Sequence, residues 1–307
     1  MPRIFTIIVT YNGSKTISEC LNSLQKSNLK VKTIVIDNAS TDKTRLLIQE
    51  FSNIIFIPLE KNIGFGQANN IGIDYALDHD ADFVFLLNQD AMVENDTIGK
   101  LVEIAVNNPD FGIISPLHLN GDYSEIDPNV IDYLHRGNRM FFNDLIFHNL
   151  QPVYKLPFIN AAAWLISRKC IEAVGKFDPL FFMYGEDNDY CHRTLKRGFE
   201  IGLVPEAKIY HKRTINLPEK SGWDEIKYLS DRYAVFDIVK LIKTNKNSYK
   251  AIIFWIIDQN TKFIKLLINR AWKEIAILFF TFCKVILNLK KIKKHKKQIQ
   301  ENTIITS

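Results

Sequence analysis

Apolar positions in the first part of the chain fall in short runs that alternate with segments of helical period. The runs "RIFTIIV", "VKTIVID", "NIIFIPL" and "DFVFLLN" are β-rich and apolar on both faces, whereas "KTISECLNSLQK", "TDKTRLLIQEF" and "GQANNIGIDYALD" repeat their apolar residues at helical spacing. Strands buried on both sides and interleaved with helices predict a parallel sheet covered by helices, hence an α/β fold. In open sheets of this kind ligands bind beyond the carboxyl ends of the strands. Thr10-Tyr11-Asn12, Asp37-Asn38 and Asn88-Gln89-Asp90 follow three of these runs, and chemistry is expected there.

From about residue 110 to 155 the pattern blurs, and the mix of Gly, Asn, Asp and aromatics in "HLNGDYSEIDPNVIDYLHRGNRMFFNDLIFHNL" predicts long loops and irregular strands. Order returns with "INAAAWLISRKCIEAVG" as strand into helix, "FDPLFFMYGEDNDYCHRTLKRG" as loop into a helix closed by Gly198, and "EIGLVPEAKIYH" as strand. After about residue 215 the chain reads as helical, apolar and cationic. Asp258, Lys262, Lys265, Asn269 and Lys273 recur at helical steps and predict one polar stripe on a single apolar helix. The uncharged run from Ile275 to Cys283 is too short to span a bilayer. The region therefore reads either as an interfacial helical segment whose end "LKKIKKHKKQIQ" favours anionic lipid, or as helices packed on the domain or on a second subunit in a homodimer. The expected division is 1–215, with a nucleotide-binding half at about 1–92 and an acceptor half at about 93–215, followed by 216–307.

Charge and cysteine content narrow the classes. The 39 Lys and Arg against 34 Asp and Glu give a net charge of +5 that comes from the basic end, so nucleic-acid binding along the body is not expected. Four scattered cysteines suit neither a disulfide framework nor a structural zinc site, and point to a reducing compartment. "MPRIFTIIVTYNGS" reads as a strand and not as a signal sequence, so the expected location is cytoplasmic, at the inner face of the cell membrane.

The first strand is followed by "TYNGSKT", with one glycine, which excludes a dinucleotide fingerprint, and no P-loop is present. Tyr11 could stack on a base or pack at the strand end, and Asp37 could bind a ribose. Asp37 stands too far upstream to be needed as a cap for the next helix, where Ser40, Thr41 and Asp42 are closer. "KNIGFGQANNIG" offers backbone N–H groups and Lys61 near a helix start, suited to a diphosphate or ribose.

Asp90 is likewise too far from "TIGKLVEIAVNN" to cap it, since Asn95 and Asp96 directly precede that helix. Such a carboxylate is solvated, bound to a loop, or bound to a cation, and Mg²⁺ bridging a diphosphate would suit it. In "MYGEDNDYCHR", Asp189 lies one turn before Arg193 and can pair with it, which leaves Asp187 to project elsewhere. Trp164 and the Phe181-Phe182 pair could shape a sugar pocket or fill the core.

"IIVTYNGSKTISECLNSLQ", "VIDNASTDKT", "NIGFGQANNIGI", "FLLNQDAMV" and "FDPLFFMYGEDNDYCHR" occur in the order and spacing of the glycosyltransferase family 2 enzymes, and the chain most resembles their bacterial rhamnosyltransferase-like branch. The resemblance covers about residues 3 to 211. It implies a GT-A fold, a Rossmann-like mixed sheet flanked by helices, here with a C-terminal helical region. It implies nucleotide-sugar binding by Thr10, Tyr11, Asp37, Asn38, Asn62, Gly64, Asn69, Asn88, Asp90 and Glu186, with Asp187 as catalytic base. Asp90 would be the metal-binding acid of a D-x-D-type motif whose first acid is replaced by Asn88, and His211 either a further metal ligand or phosphate contact or a solvated strand-end histidine. The implied cofactor is Mg²⁺ or Mn²⁺.

The function expected from this is inverting transfer of rhamnose or another hexose from a dTDP- or UDP-sugar to a glycan or lipid-linked acceptor in surface polysaccharide biosynthesis. Two other classes are weighed: a sugar nucleotidyltransferase, which lacks its basic Gly-rich loop here, and a non-catalytic nucleotide-sugar binding subunit, suggested by Asn88.

Overall fold

The computed structural model describes residues 2–122, 124–212, 221–244 and 247–303. The chain forms two compact units, residues 1–214 and 215–307.

The first unit runs β1 (Ile4–Thr10), α1 (Ile17–Gln25), β2 (Lys32–Asp37), α2 (Thr44–Gln49), β3 (Ile54–Pro58), α3 (Phe65–Asp78), β4 (Phe83–Leu87), β5 (Ala91–Val93), α4 (Thr97–Asn107), β6 (Phe111–Asn120), α5 (Pro128–Gly137), α6 (Met140–Ile146), β7 (Tyr154–Lys155), β8 (Ala163–Ser167), α7 (Arg168–Val174), α8 (Glu186–Lys196) and β9 (Glu200–His211). The strands form one sheet in the order β3-β2-β1-β4-β8-β6-β9-β5, with β7 also on β9. The β3, β2, β1 and β4 neighbours are parallel, as the alternation of strands and helices requires. β8 enters antiparallel beside β4, which makes the sheet mixed.

Each central strand is buried on both faces because its neighbouring side chains feed different cores. Phe5 and Ile7 of β1, Ile34 and Ile36 of β2, and Trp164 and Ile166 of β8 pack in one layer with α3, α7 and α8. Ile4 and Ile8, Val35, and Ala163 and Leu165 pack in the other with α1 and α4.

The expectation of loops over 110–155 is corrected. β6 occupies Phe111–Asn120, and α5 and α6 follow it. β6 is buried over most of its length, but Gly112, Ser115, Pro116 and His118 break its apolar run, so neither alternation nor a continuous apolar stretch marks it. α5 begins at Asp127, whose carboxylate accepts the Asn129 N–H at 2.9 Å, with Pro128 in the first turn. Asp96 does stand at the N-cap of α4, but its carboxylate pairs with Lys100 at 2.9 Å and makes no capping hydrogen bond.

The second unit is helical: α9 (Gly222–Lys243), α10 (Ser248–Ile268) and α11 (Trp272–Thr303). The single-helix polar stripe is also corrected, because α10 ends at Ile268, Arg270 turns at φ 53°, and Lys273 belongs to α11. Lys296 of α11 is 3% exposed and its ammonium donates to the Leu241 and Thr244 carbonyls at 3.2 and 2.7 Å, so it satisfies the end of α9. Among the described residues no helix is long and apolar enough to cross a membrane.

Candidate active site

The strand ends form a polar edge, beginning at β1 and β4. Gln89, just past β4, accepts from Thr10 Oγ1 at 2.5 Å and from the Tyr11 N–H at 3.0 Å, and its amide donates to the Tyr11 carbonyl at 3.3 Å. Both backbone groups of Tyr11 are thus fixed while its ring stays exposed. Asp37, at the end of β2, is fully buried, accepts the Ser40 N–H, and meets Arg45 Nε at 2.5 Å. Arg45 in turn donates to the Leu59 carbonyl at 3.0 Å.

Asn38, Asn62 and Gly64 form a latch. The Asn38 amide donates to Asn62 Oδ1 at 3.0 Å, its oxygen accepts the Ile63 N–H at 2.9 Å, and the Gly64 N–H donates to Asn62 Oδ1 at 2.9 Å. Gly64 has φ +87°, and a Cβ there would sit 2.1 Å from the Phe182 carbonyl oxygen, so only glycine lets the two segments approach. Asn69 is buried and its amide donates to the Phe65 carbonyl at 3.0 Å, within α3 rather than toward the strand ends.

Asp90 and His211 meet. β5 pairs with β9 in the register Ala91↔His211, which carries the residue before β5 alongside the end of β9. His211 Nε2 lies 3.2 Å from Asp90 Oδ1, and its Nδ1 is 3.8 Å from Asp127 Oδ2. Asn88, at the preceding turn, fixes its N–H on the Ala162 carbonyl at 2.9 Å.

The third cluster opens α8. Gly185 is left-handed at φ 82° and turns the chain into the helix. Glu186 is 8% exposed, and its Oε2 has no hydrogen-bond partner among the described residues. Burial first, and the Asp187 charge second, push its carboxyl up to about 8, so at neutral pH it carries a proton. Asp187 accepts the Asn188 N–H at 2.7 Å. Asp189 is paired with Arg193 at 2.8 Å, as their spacing predicts, and Arg193 also donates to the Val174 and Lys176 carbonyls. The loop before α8 is tied to α3 by the Phe65 N–H on the Phe182 carbonyl at 3.2 Å, next to the Asn38–Asn62 latch. Trp164 and Phe181 are buried core, whereas Phe182 is exposed.

A family model described as glycosyl transferase family 2 matches residues 6–175. The chain belongs to this family. The glycosyltransferase is 26% identical over 209 residues to the dTDP-rhamnosyl transferase RfbF of Shigella flexneri, covering 68% of each chain. It is 27% identical over 231 residues to an N-acetylglucosaminyl-diphospho-decaprenol L-rhamnosyltransferase of Mycobacterium tuberculosis, covering 67% of this chain and 75% of that protein. Among solved structures it resembles the mannosyltransferase PcManGT of Pyrobaculum calidifontis in complex with GDP-Man and Mn²⁺, with TM-score 0.59, 16% identity, and coverage of 93% and 87%. The S. aureus TarS fragment in complex with UDP superposes with TM-score 0.57 at 15% identity, covering 96% and 91%. At such identities the structures establish the fold, which is GT-A. Membership in the family sets aside the nucleotidyltransferase and non-catalytic readings.

Three residues that join the candidate site residues of this glycosyltransferase are missing from the motif-based candidate set. Gln89 lies inside the quoted strand-end triplet, but nothing local says that it reaches back to Tyr11. Arg45 is hidden on the helix after Asp37, at a spacing that a search for an Asp37 partner could have flagged. Asp127 is separated from His211 by most of the acceptor side, and only the pairing of β6 with β9 brings them near.

Proposed function

We propose that this glycosyltransferase is a metal-assisted, inverting hexosyltransferase that moves rhamnose or a related hexose from a dTDP- or UDP-sugar to a glycan or lipid-linked acceptor during surface polysaccharide assembly. The observation that carries the reading is the convergence of Asp90 and His211 at 3.2 Å at the carboxyl edge of the sheet. Asp90 and His211 would hold a divalent cation brought by the nucleotide diphosphate, since such a cation needs only one or two protein carboxylates. When bound there, the cation supplies neutralisation of the charge developing on the departing diphosphate.

The chain's own residues do the rest. The fixed backbone of Tyr11 presents its ring to the base, with Thr10, Asp37, Asn38, Asn62, Gly64 and Asn88 shaping the nucleotide pocket, and Asn69 supporting the helix beneath it. Asp187 takes the proton of the acceptor hydroxyl as that oxygen bonds to the anomeric carbon and the bond to the diphosphate breaks from the opposite side. Glu186 stays protonated beside it, so the local negative charge rests on Asp187. Residues 1–92 serve as the nucleotide half and 93–215 as the acceptor half. The C-terminal region, residues 216–307, holds the enzyme at the inner face of the membrane, where a lipid-linked acceptor resides.

The test offers the purified protein dTDP- and UDP-sugars with Mn²⁺ or Mg²⁺ and follows diphosphate release and product configuration. Inverted product with one donor class is expected. Asp187→Asn is expected to retain donor binding and lose turnover; full transfer by that variant would refute the base assignment.

A further inference from the structure

The outward stripes of α10 and α11 are apolar where a solvated helix is polar. On α10, Tyr249, Ile253, Ile257, Asn260, Ile264 and Ile268 recur at steps of four, four, three, four and four, and all are exposed. On α11, Trp272, Phe279, Cys283 and Leu287 fall on one stripe at helical steps, and Leu287 is 80% exposed. Asp258 and Glu274, the acids of these two segments, lie off both stripes. Leaving so much apolar surface in water is unfavourable, and such a surface marks a place of contact.

The same α11 stripe then turns cationic. Lys290 and Lys294 continue it at steps of three and four beyond Leu287, with Lys291 beside them, and all three are exposed. Lys262, Lys273 and Lys284 of the same helices are paired, with Asp258 at 2.9 Å, Glu225 at 2.7 Å and Asp231 at 2.6 Å. Lys290, Lys291 and Lys294 form no ion pair among the described residues, and the next cation on the stripe, Lys297, meets Glu301 at 3.4 Å. Lys293 lies over the exposed Tyr249 ring at 4.2 Å, which joins the cationic end of α11 to the first turn of the α10 stripe. One surface thus carries hydrocarbon over most of its length and unpaired cations at one end.

We infer that this surface lies in the interfacial layer of an anionic bilayer, with the apolar stripes among the acyl chains and Lys290, Lys291 and Lys294 on lipid phosphates. The inference rests on the membrane attachment in the proposed function, and names the face and the lipid charge. A bilayer of that kind presents hydrocarbon and phosphate to one helix face together, which matches both parts of it. A second copy of the chain matches only one part. Laid parallel on its equal, the face sets lysine against lysine; laid antiparallel over its full length, it sets Lys290 and Lys294 on the apolar half and dries them without an anion. Both helices lie along the layer, since no described helix is long and apolar enough to cross it.

The test floats the full chain with vesicles of phosphatidylcholine, alone or mixed with phosphatidylglycerol, and reads tryptophan emission with and without brominated lipid. Binding to the mixed vesicles is expected to exceed binding to phosphatidylcholine by about tenfold or more, and to weaken at high salt. Lys290→Gln, Lys291→Gln and Lys294→Gln combined are expected to remove that preference. Ile264→Asp with Leu287→Asp, both at exposed positions, is expected to weaken attachment to either vesicle about tenfold. Wild-type emission is expected to shift blue and to be quenched by brominated lipid, and Trp272→Phe, a mild change, to lose much of that response. Flotation of the wild type that both sets of variants match, with no quenching at Trp272, overturns the inference and leaves attachment through another surface. A wild type that floats with neither vesicle overturns the attachment in the proposed function as well. A dimer that Ile264→Asp with Leu287→Asp dissociates, without vesicle binding, gives the face to a second copy and also overturns it. Donor turnover on a water-soluble acceptor is independent of all these outcomes.

Discussion

His211 Nε2 sits 3.2 Å from Asp90 Oδ1 because the short strand β5 pairs with the end of β9. Neither group alone makes a strong cation site, and the acid expected two residues upstream is Asn88. Asp90→Asn is therefore expected to raise the Mn²⁺ concentration for half-maximal transfer by about tenfold or more, and His211→Ala by a similar factor. Asn88→Asp, which restores a second carboxylate, is expected to lower it. Activity against metal concentration for the three variants checks this, and identical curves would remove Asp90 and His211 from the metal site.

Glu186 gives the enzyme a pH dependence with a definite sign. Its carboxyl titrates at about 8 in the folded protein, against an ordinary value of 4.5, through burial and then the neighbouring Asp187 charge. The folded state thus holds a proton that the unfolded chain has released, so the stability contribution is complete below about 4.5 and is lost as pH rises through about 8. Glu186→Gln removes that loss. Its Tm is expected to stand above wild type near pH 9 and to approach it near pH 5, and its turnover is expected to lack the alkaline decline that ionisation beside Asp187 causes. Parallel Tm and rate profiles that fall identically in both proteins would contradict this.

Much of the catalytic unit was legible because its strands and helices are short, regular and patterned. Seven alternating segments from Ile4 to Leu87 appear where the apolar runs predict them, and Asp189 finds Arg193 one turn on. What escaped is long-range or lacks periodicity. β6 has its apolar run interrupted by Gly112, Ser115, Pro116 and His118, and the break after Ile268 lies within a pattern that continues at helical spacing across it. Within the site, motifs named the loops but not the contacts between them: Gln89 on Tyr11, Asp127 near His211, and Phe182 on Phe65 all depend on strand order.

Gln89 holds Tyr11 by two hydrogen bonds to its backbone and is itself held by one from Thr10. The presentation of the Tyr11 ring should therefore depend on a side chain that touches no sugar. Gln89→Leu, similar in size, is expected to destabilise by about 1–2 kcal/mol and to raise the donor KM more than it lowers kcat. Tyr11→Ala is expected to raise the same KM, and the double variant to add little to either. Additive effects on KM would show that Gln89 acts elsewhere.

Asp37, at the end of β2, is fully buried, and its charge is balanced by the half-exposed Arg45 at 2.5 Å. Removing the arginine leaves a carboxylate with only the Ser40 N–H, which costs far more than the pair itself contributes. Arg45→Met is expected to lower stability by about 3 kcal/mol at neutral pH, whereas Arg45→Met combined with Asp37→Asn recovers part of that loss, since no unpaired charge remains. Donor binding separates the two roles of Asp37. If it contacts the nucleotide, the double variant regains stability but not affinity, and urea melts together with nucleotide titration on the same samples resolve the two. Recovery of both would make Asp37 a structural partner of Arg45 alone and leave Tyr11 to read the base.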